Sequence, residues 1–146
     1  MYIVSACLAG IKCRYDGKEN TSEKILKLVE QGKAMVVCPE VLGGLDIPRK
    51  PCEIRRDENG LEYVINIEEK DCTEAFRLGA QKTLEIAKIV GAEVAILKAK
   101  SPSCGCGKIY DGNFNGVLIQ GDGLTAKLLK ENNITVYTEE DIKIQV

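Results

Sequence analysis

Four short apolar runs, separated by longer amphipathic stretches, decide most of what this chain can become. They are MYIVSAC at residues 1–7, AMVVC at 34–38, AEVAILKA at 92–99 and ITVYT at 134–138. Runs this short, rich in β-branched residues and without polar alternation, have the pattern of strands covered on both faces. Such strands belong to parallel sheets. The intervening sequence supplies the covers. Residues 22–31 (SEKILKLVEQ) place apolar side chains at 25, 26, 28 and 29, with Thr21 or Ser22 to cap the start and Gly32 to close the end. Residues 71–90 form the longest helical pattern, with apolar positions at 75, 76, 78, 80, 84, 86, 87, 89 and 90 and a stop at Gly91. Residues 122–131 predict a third helix, with Asp122 or Thr125 near its cap.

Two segments break the alternation. Residues 39–51 (PEVLGGLDIPRKP) read as a loop, because prolines and a Gly-Gly pair disfavour any regular element. Residues 52–67 read as a hairpin turning through Asn59 and Gly60. The expected fold is therefore α/β: one three-layer domain over residues 1–146, mostly parallel sheet with helices on both faces, plus a β-hairpin insertion.

Several function classes fall away. No apolar run approaches the roughly 18–20 residues that cross a bilayer. The N-terminus lacks the charged start and small-residue cleavage site of a secretory signal, so a cytoplasmic location is expected. Twenty basic and 22 acidic residues are well mixed, giving a net charge of −2 without the basic excess of a nucleic-acid binder. The group Arg49, Lys50, Arg55 and Arg56 reads as solvated loop, with a local anion site as the alternative.

Seven cysteines and no histidine frame the chemistry. The odd count leaves at least one thiol unpaired, and in a reducing compartment cysteine clusters point to metal or redox work. Without histidine there is no Cys2His2 zinc site and no triad of the Ser-His-Asp or Cys-His kind. Acid–base work then falls to Asp, Glu, Lys, Tyr or Cys.

The placement of three thiols is the informative part. Cys7 ends the first apolar run, Cys38 ends the second, and Cys104 follows shortly after the third. Ligands of open parallel sheets bind outside the carboxyl ends of the strands, so these thiols are expected to converge at one sheet edge. Three thiolates without a fourth protein ligand suit either a [4Fe–4S] cluster with one free iron or a zinc site with one exchangeable position. Cys13 and Cys106 share loops with Cys7 and Cys104 and are expected to line that pocket, with a supporting ligand, or for Cys106 a sulfur acceptor, as the alternative. Cys52 and Cys72 read as packing.

The segments SACLAG, CRYDGK, CPEVLGGLDIPRKPCEI, KAKSPSCGCGKIYDGNFNG and LLKENNI occur in order over nearly the whole chain. Together they resemble the 2-thiouracil desulfurase family. That resemblance implies a Rossmann-like α/β domain holding a [4Fe–4S] cluster through Cys7, Cys38 and Cys104. It also implies desulfuration of a thiolated pyrimidine or related small sulfur compound, with the free iron binding the C=S sulfur and water replacing it. The chain departs from the family pattern by carrying extra thiols at Cys52 and Cys106.

On that reading Glu40, two residues from Cys38, is the expected general base for the water. Ser103, beside Cys104, is the expected donor or proton shuttle, with Ser101 second. Tyr15 is a candidate ring-stacking residue, while Arg14 and Asp16 are set to pair with each other. Gly43, Gly44, Gly105 and Gly107 are expected to bring backbone N–H groups close to the site. Two rival readings stand beside this one. They are a non-catalytic zinc or iron–sulfur sensor module, and a redox or sulfur-carrier protein using Cys104 and Cys106 as a C-x-C pair.

Overall fold

The computed structural model describes residues 1–141. In chain order the elements are β1 (Tyr2–Ser5), a 3-10 turn (Ala6–Ala9), α1 (Glu23–Glu30), β2 (Ala34–Val37), α2 (Pro39–Leu42), β3 (Cys52–Arg56) and β4 (Glu62–Asn66). They continue as α3 (Thr73–Ile89), β5 (Val94–Leu97), β6 (Lys108–Tyr110), β7 (Leu118–Gln120), α4 (Leu124–Glu131) and β8 (Thr135–Thr138).

The central sheet has the order β2-β1-β5-β8, and all its pairings are parallel. Ile3 lies opposite Met35 on one side and Ala95 on the other, and Ala95 in turn lies opposite Val136. Alternate side chains then serve opposite faces. Ile3, Ala95, Leu97 and Val136 pack against Ala87 of α3 and Ala126 and Leu129 of α4. Val4 and Ile96 pack on the other face against Ile25 and Leu28 of α1. Burial on both faces is why β1 and β5 lack polar alternation, whereas the edge strands β2 and β8 expose Met35 and Tyr137.

The expected hairpin forms from β3 and β4, with Ile54 opposite Val64. Its turn is fixed by Asp57, whose Oδ1 accepts from the N–H groups of Asn59 and Leu61. Ile54 and Val64 pack with Phe76 of α3 and Ile109 of β6 in a third core. Along α3 the buried positions are Thr73, Phe76, Gly79, Ala80, Thr83 and Ala87, at helical spacing, whereas Leu78 and Ile89 face out.

Two elements differ from the sequence expectation. Within residues 39–51 the first four form α2, started by Pro39 at the position where proline suits a helix. Residues 108–120 hold a second hairpin, β6–β7, of three residues per strand.

Close packing of α2 on α3 sets the site. A Cβ on Gly43 would lie 1.9 Å from the Ala75 carbonyl oxygen, and one on Gly79 would lie 1.9 Å from that of Pro39. Only glycine at both positions lets the two backbones meet, and that contact fixes where Cys38 and Glu40 emerge. Connectivity sets the rest. From β1 the chain moves to β2 on one side, then crosses to β5 on the other. The gap beyond the carboxyl ends of β1 and β5 is therefore the switch point where an open α/β sheet binds its ligand.

Candidate active site

A cavity of about 520 Å³ opens at that switch point. Cys7 reaches it from the 3-10 turn after β1, Cys38 from the residue between β2 and α2, and Cys104 from the loop after β5. Glu40, Ser101 and Ser103 line the same cavity, so all six residues singled out from the sequence come together.

Cys104 is buried and its sulfur is flanked by hydroxyls. Ser5 Oγ donates to it at 3.4 Å and Ser103 Oγ at 3.5 Å. Ser5 itself accepts from the Lys98 N–H at 2.9 Å, tying the end of β1 to the end of β5. Ser101 Oγ lies 3.0 Å from Ser103 Oγ and accepts from the N–H groups of both Ser103 and Cys104. Burial pushes the Cys104 thiol up to about 12, against the lowering influence of the Ser5 and Ser103 hydroxyls.

Cys13 is a fourth thiol in this cavity, buried between Cys7 and Cys38. Contact with the Cys13 thiol, together with burial, raises the pKa of Cys38 well above the ordinary thiol range. For Cys13 the contact with Cys38 acts to lower the value. Contact with Cys7 and burial outweigh it and bring the thiol to about 11. To hold a metal these thiols would have to give up their protons.

Glu40 projects from α2 and is held by Arg49, whose Nη2 donates to Oε2 at 2.7 Å. Burial alone would lower the Arg49 pKa, but the carboxylate of Glu40 and the thiols of Cys38 and Cys13 keep the guanidinium firmly charged. Its Nε is buried without a hydrogen-bond partner. The lining carries four cationic side chains, Arg14, Arg49, Lys98 and Lys100, against the carboxylates of Glu40 and Glu53.

These features fit an iron–sulfur cluster. Among the described residues no three Cys, Asp or Glu side chains gather tightly enough to hold a single metal ion. Cys7, Cys38 and Cys104 instead face one cavity from three separate chain segments, as a group bound at several corners requires. Two hydroxyls on the Cys104 sulfur supply the outer hydrogen bonds that metal-binding thiolates use.

Other expectations have mixed outcomes. Tyr15 lines the cavity, and Arg14 pairs with Asp16 at 3.4 Å while its guanidinium lies 5.9 Å from the Tyr15 ring. Cys52 reaches the cavity rim, whereas Cys106 turns away and donates to the Val136 carbonyl at 3.6 Å. Gly43 and Gly105 serve close packing and do not line the cavity: a Cβ at Gly105 would lie 2.7 Å from the Ser101 carbonyl oxygen. The basic group read as a solvated patch is dispersed. Arg49 is buried, Lys50 pairs with Glu68, Arg55 with Glu69, and Arg56 with Glu62. Glu53 and Phe114 are cavity residues that the sequence did not single out, and Arg49, read there as solvated loop, lines the cavity too.

Sheet and site together define an α/β protein with a thiol-lined ligand cavity at the switch point of an open parallel sheet. Comparison with known proteins narrows this class. The sequence model of the 2-thiouracil desulfurase family matches residues 2–141, and the chain belongs to that family. It is 46% identical over 147 residues to the uncharacterized protein YbbK of Bacillus subtilis (strain 168), covering 97% of each chain. It is also similar to the solved structure of the [4Fe-4S]-dependent thiouracil desulfidase TudS. There the TM-score is 0.86 at 41% identity, over 95% of this chain and 90% of that one.

Proposed function

We propose that the chain is a [4Fe–4S]-dependent desulfurase of a thiolated pyrimidine such as 2-thiouracil, folded as one domain over residues 1–146. The observation that carries this reading is the convergence of Cys7, Cys38 and Cys104, from three strand ends, on one cavity that also holds Glu40. Family membership and the likeness to the thiouracil desulfidase support it. The cytoplasm, where thiols stay reduced, suits a chain whose seven cysteines are all free.

Cys7, Cys38 and Cys104 would hold the cluster as thiolates. When bound, the cluster supplies a thiophilic Lewis acid with one iron free of protein ligands. The chain's own residues do the rest. Glu40 accepts a proton from the attacking water, and Arg49 fixes the carboxylate so that one oxygen is held and the other is left for that proton. Ser103 and Ser101, 3.0 Å apart, form a hydroxyl pair beside Cys104 that passes a proton toward the departing sulfur. In the net change the C=S carbon exchanges its sulfur for the oxygen of water, and the sulfur leaves with both water protons as hydrogen sulfide. No electron is gained or lost. Among the described residues no helix is long and apolar enough to cross a membrane.

The test is anaerobic incubation of cluster-reconstituted protein with 2- and 4-thiouracil, following loss of thiocarbonyl absorbance and formation of uracil. Turnover of either supports the reading. An intact cluster that turns over neither contradicts it and favours the sensor alternative.

A further inference from the structure

The loop at residues 111–117, joining β6 to β7, contains a conformational oddity. Phe114 has φ of 54°, in the left-handed region that bulky side chains avoid. Its neighbours Asn113 and Asn115 belong to a residue type that tolerates this region far better, yet the strain falls on the phenylalanine. Strained residues of this kind persist where surrounding structure over-determines them.

The over-determining groups come from β3. Glu53, a buried carboxylate, uses Oε1 to accept from the N–H groups of both Gly112 at 3.0 Å and Phe114 at 3.2 Å. Arg55 donates twice to the Gly112 carbonyl, from Nε at 3.1 Å and Nη2 at 2.7 Å. Gly112 cannot change, because a Cβ there would lie 2.8 Å from the Ile54 carbonyl oxygen. Four hydrogen bonds thus lock the loop against β3. The side chain so presented lines the active-site cavity, as does Tyr15.

We propose that Phe114 is a specificity-determining residue, an aromatic wall against which the flat face of the substrate heterocycle stacks, and that Glu53 and Arg55 are its positioning residues. This rests on the desulfurase reading for the identity of the heterocycle. A stacked ring selects for planarity and aromatic character and leaves the C=S edge free for the chemistry. Stacking of a base on an aromatic side chain is strong enough to dominate the affinity of so small a ligand.

The test uses cluster-reconstituted holoprotein carrying Phe114→Gly, Phe114→Leu or Phe114→Tyr. It measures KM and kcat for 2-thiouracil, the affinity for uracil by calorimetry, and the thermal midpoint. Phe114→Gly and Phe114→Leu are expected to raise KM and weaken uracil binding about 10-fold or more, with kcat changed much less, while Phe114→Tyr stays near wild type. Because Gly accepts positive φ without strain, Phe114→Gly is also expected to keep or raise the thermal midpoint. Unchanged KM and uracil affinity in both the Gly and Leu variants would overturn the proposal. So would a lowered midpoint with KM unaltered, the mark of a merely structural residue. The two claims fail separately. Uracil binding that depends on Phe114, in protein that does not desulfurate, contradicts the reaction but supports the wall. Turnover in Phe114→Leu with wild-type KM and wild-type uracil affinity supports the reaction and overturns the wall. Wild-type protein that binds neither uracil nor 2-thiouracil overturns both.

Discussion

Arg49 Nη2 meets Glu40 Oε2 at 2.7 Å, with side chains 7% and 17% exposed, and this pair links the loop before β3 to the short helix that carries Glu40. A buried pair of this kind adds little when compared with an apolar replacement, but losing one partner leaves the other charge uncompensated. Arg49→Met is therefore expected to cost about 3 kcal/mol in urea unfolding, and the double variant Arg49→Met with Glu40→Leu to recover most of it. Glu40→Gln, which keeps shape and a hydrogen bond, is expected to retain iron while lowering kcat by about 10²- to 10⁴-fold.

The meeting of Gly43 and Gly79 admits no side chain. Gly79→Ala would set a methyl group against the Pro39 carbonyl, displacing α2 and with it Cys38 and Glu40. The expected cost is about 1–3 kcal/mol or more, with reduced iron occupancy at a temperature where the chain is still folded. A variant with wild-type stability and iron content would show that the α2–α3 contact does not position the site.

Ser103 is almost wholly buried and its hydroxyl bridges Ser101 Oγ and Cys104 Sγ. Ser103→Ala is expected to keep the cluster absorbance yet lower kcat by about 10²-fold, the scale of losing one placed donor. Equal losses of iron and activity would instead assign Ser103 to holding Cys104.

Asp71 supplies the pH dependence that is clearest away from the thiols. Its Oδ1 accepts from the Thr73 N–H at 2.8 Å at the start of α3. The Thr73 side-chain and backbone contacts, with Arg77 a smaller influence, hold its pKa below the ordinary carboxylate range. A depressed pKa means the folded state favours the ionised form. The contribution is complete above the unfolded value of about 4 and is lost as pH falls through the folded value. Asp71→Ala is thus expected to cost about 0.5–1 kcal/mol at neutral pH, the low end for a helix-start bond because the group is exposed. That difference should vanish in acid. A difference independent of pH would place the effect in packing.

The parts of the fold that could be read beforehand are those with period and length. Of the central strands β1 and β5 are short apolar runs buried on both faces, the edge strands β2 and β8 expose Met35 and Tyr137, and α1 and α3 carry helical spacing over two or more turns. The thiols at strand ends followed from that pattern, because an open parallel sheet puts its ligand at those ends. Elements without period stayed hidden. The helix α2 has four residues, too few to show a stripe, and the strands β6 and β7 have three each in a glycine-rich stretch. Arg49 sits among basic neighbours and has the look of a solvated residue. Its burial depends on where the loop between α2 and β3 folds back, including the bond from its N–H to the Tyr15 carbonyl, and no local pattern encodes that. Cys13 and Cys106 look equivalent in their loops, yet one faces the cavity and the other Val136.

The most direct test of the account is iron and acid-labile sulfide per chain in anaerobically reconstituted cysteine variants. Cys7→Ser, Cys38→Ser and Cys104→Ser are each expected to lose the cluster. Cys106→Ser is expected to hold about four irons and four sulfides, like the wild type. Loss in Cys106→Ser together with retention in Cys7→Ser or Cys38→Ser would contradict the three-strand-end site and return the C-x-C pair to the centre of the chemistry.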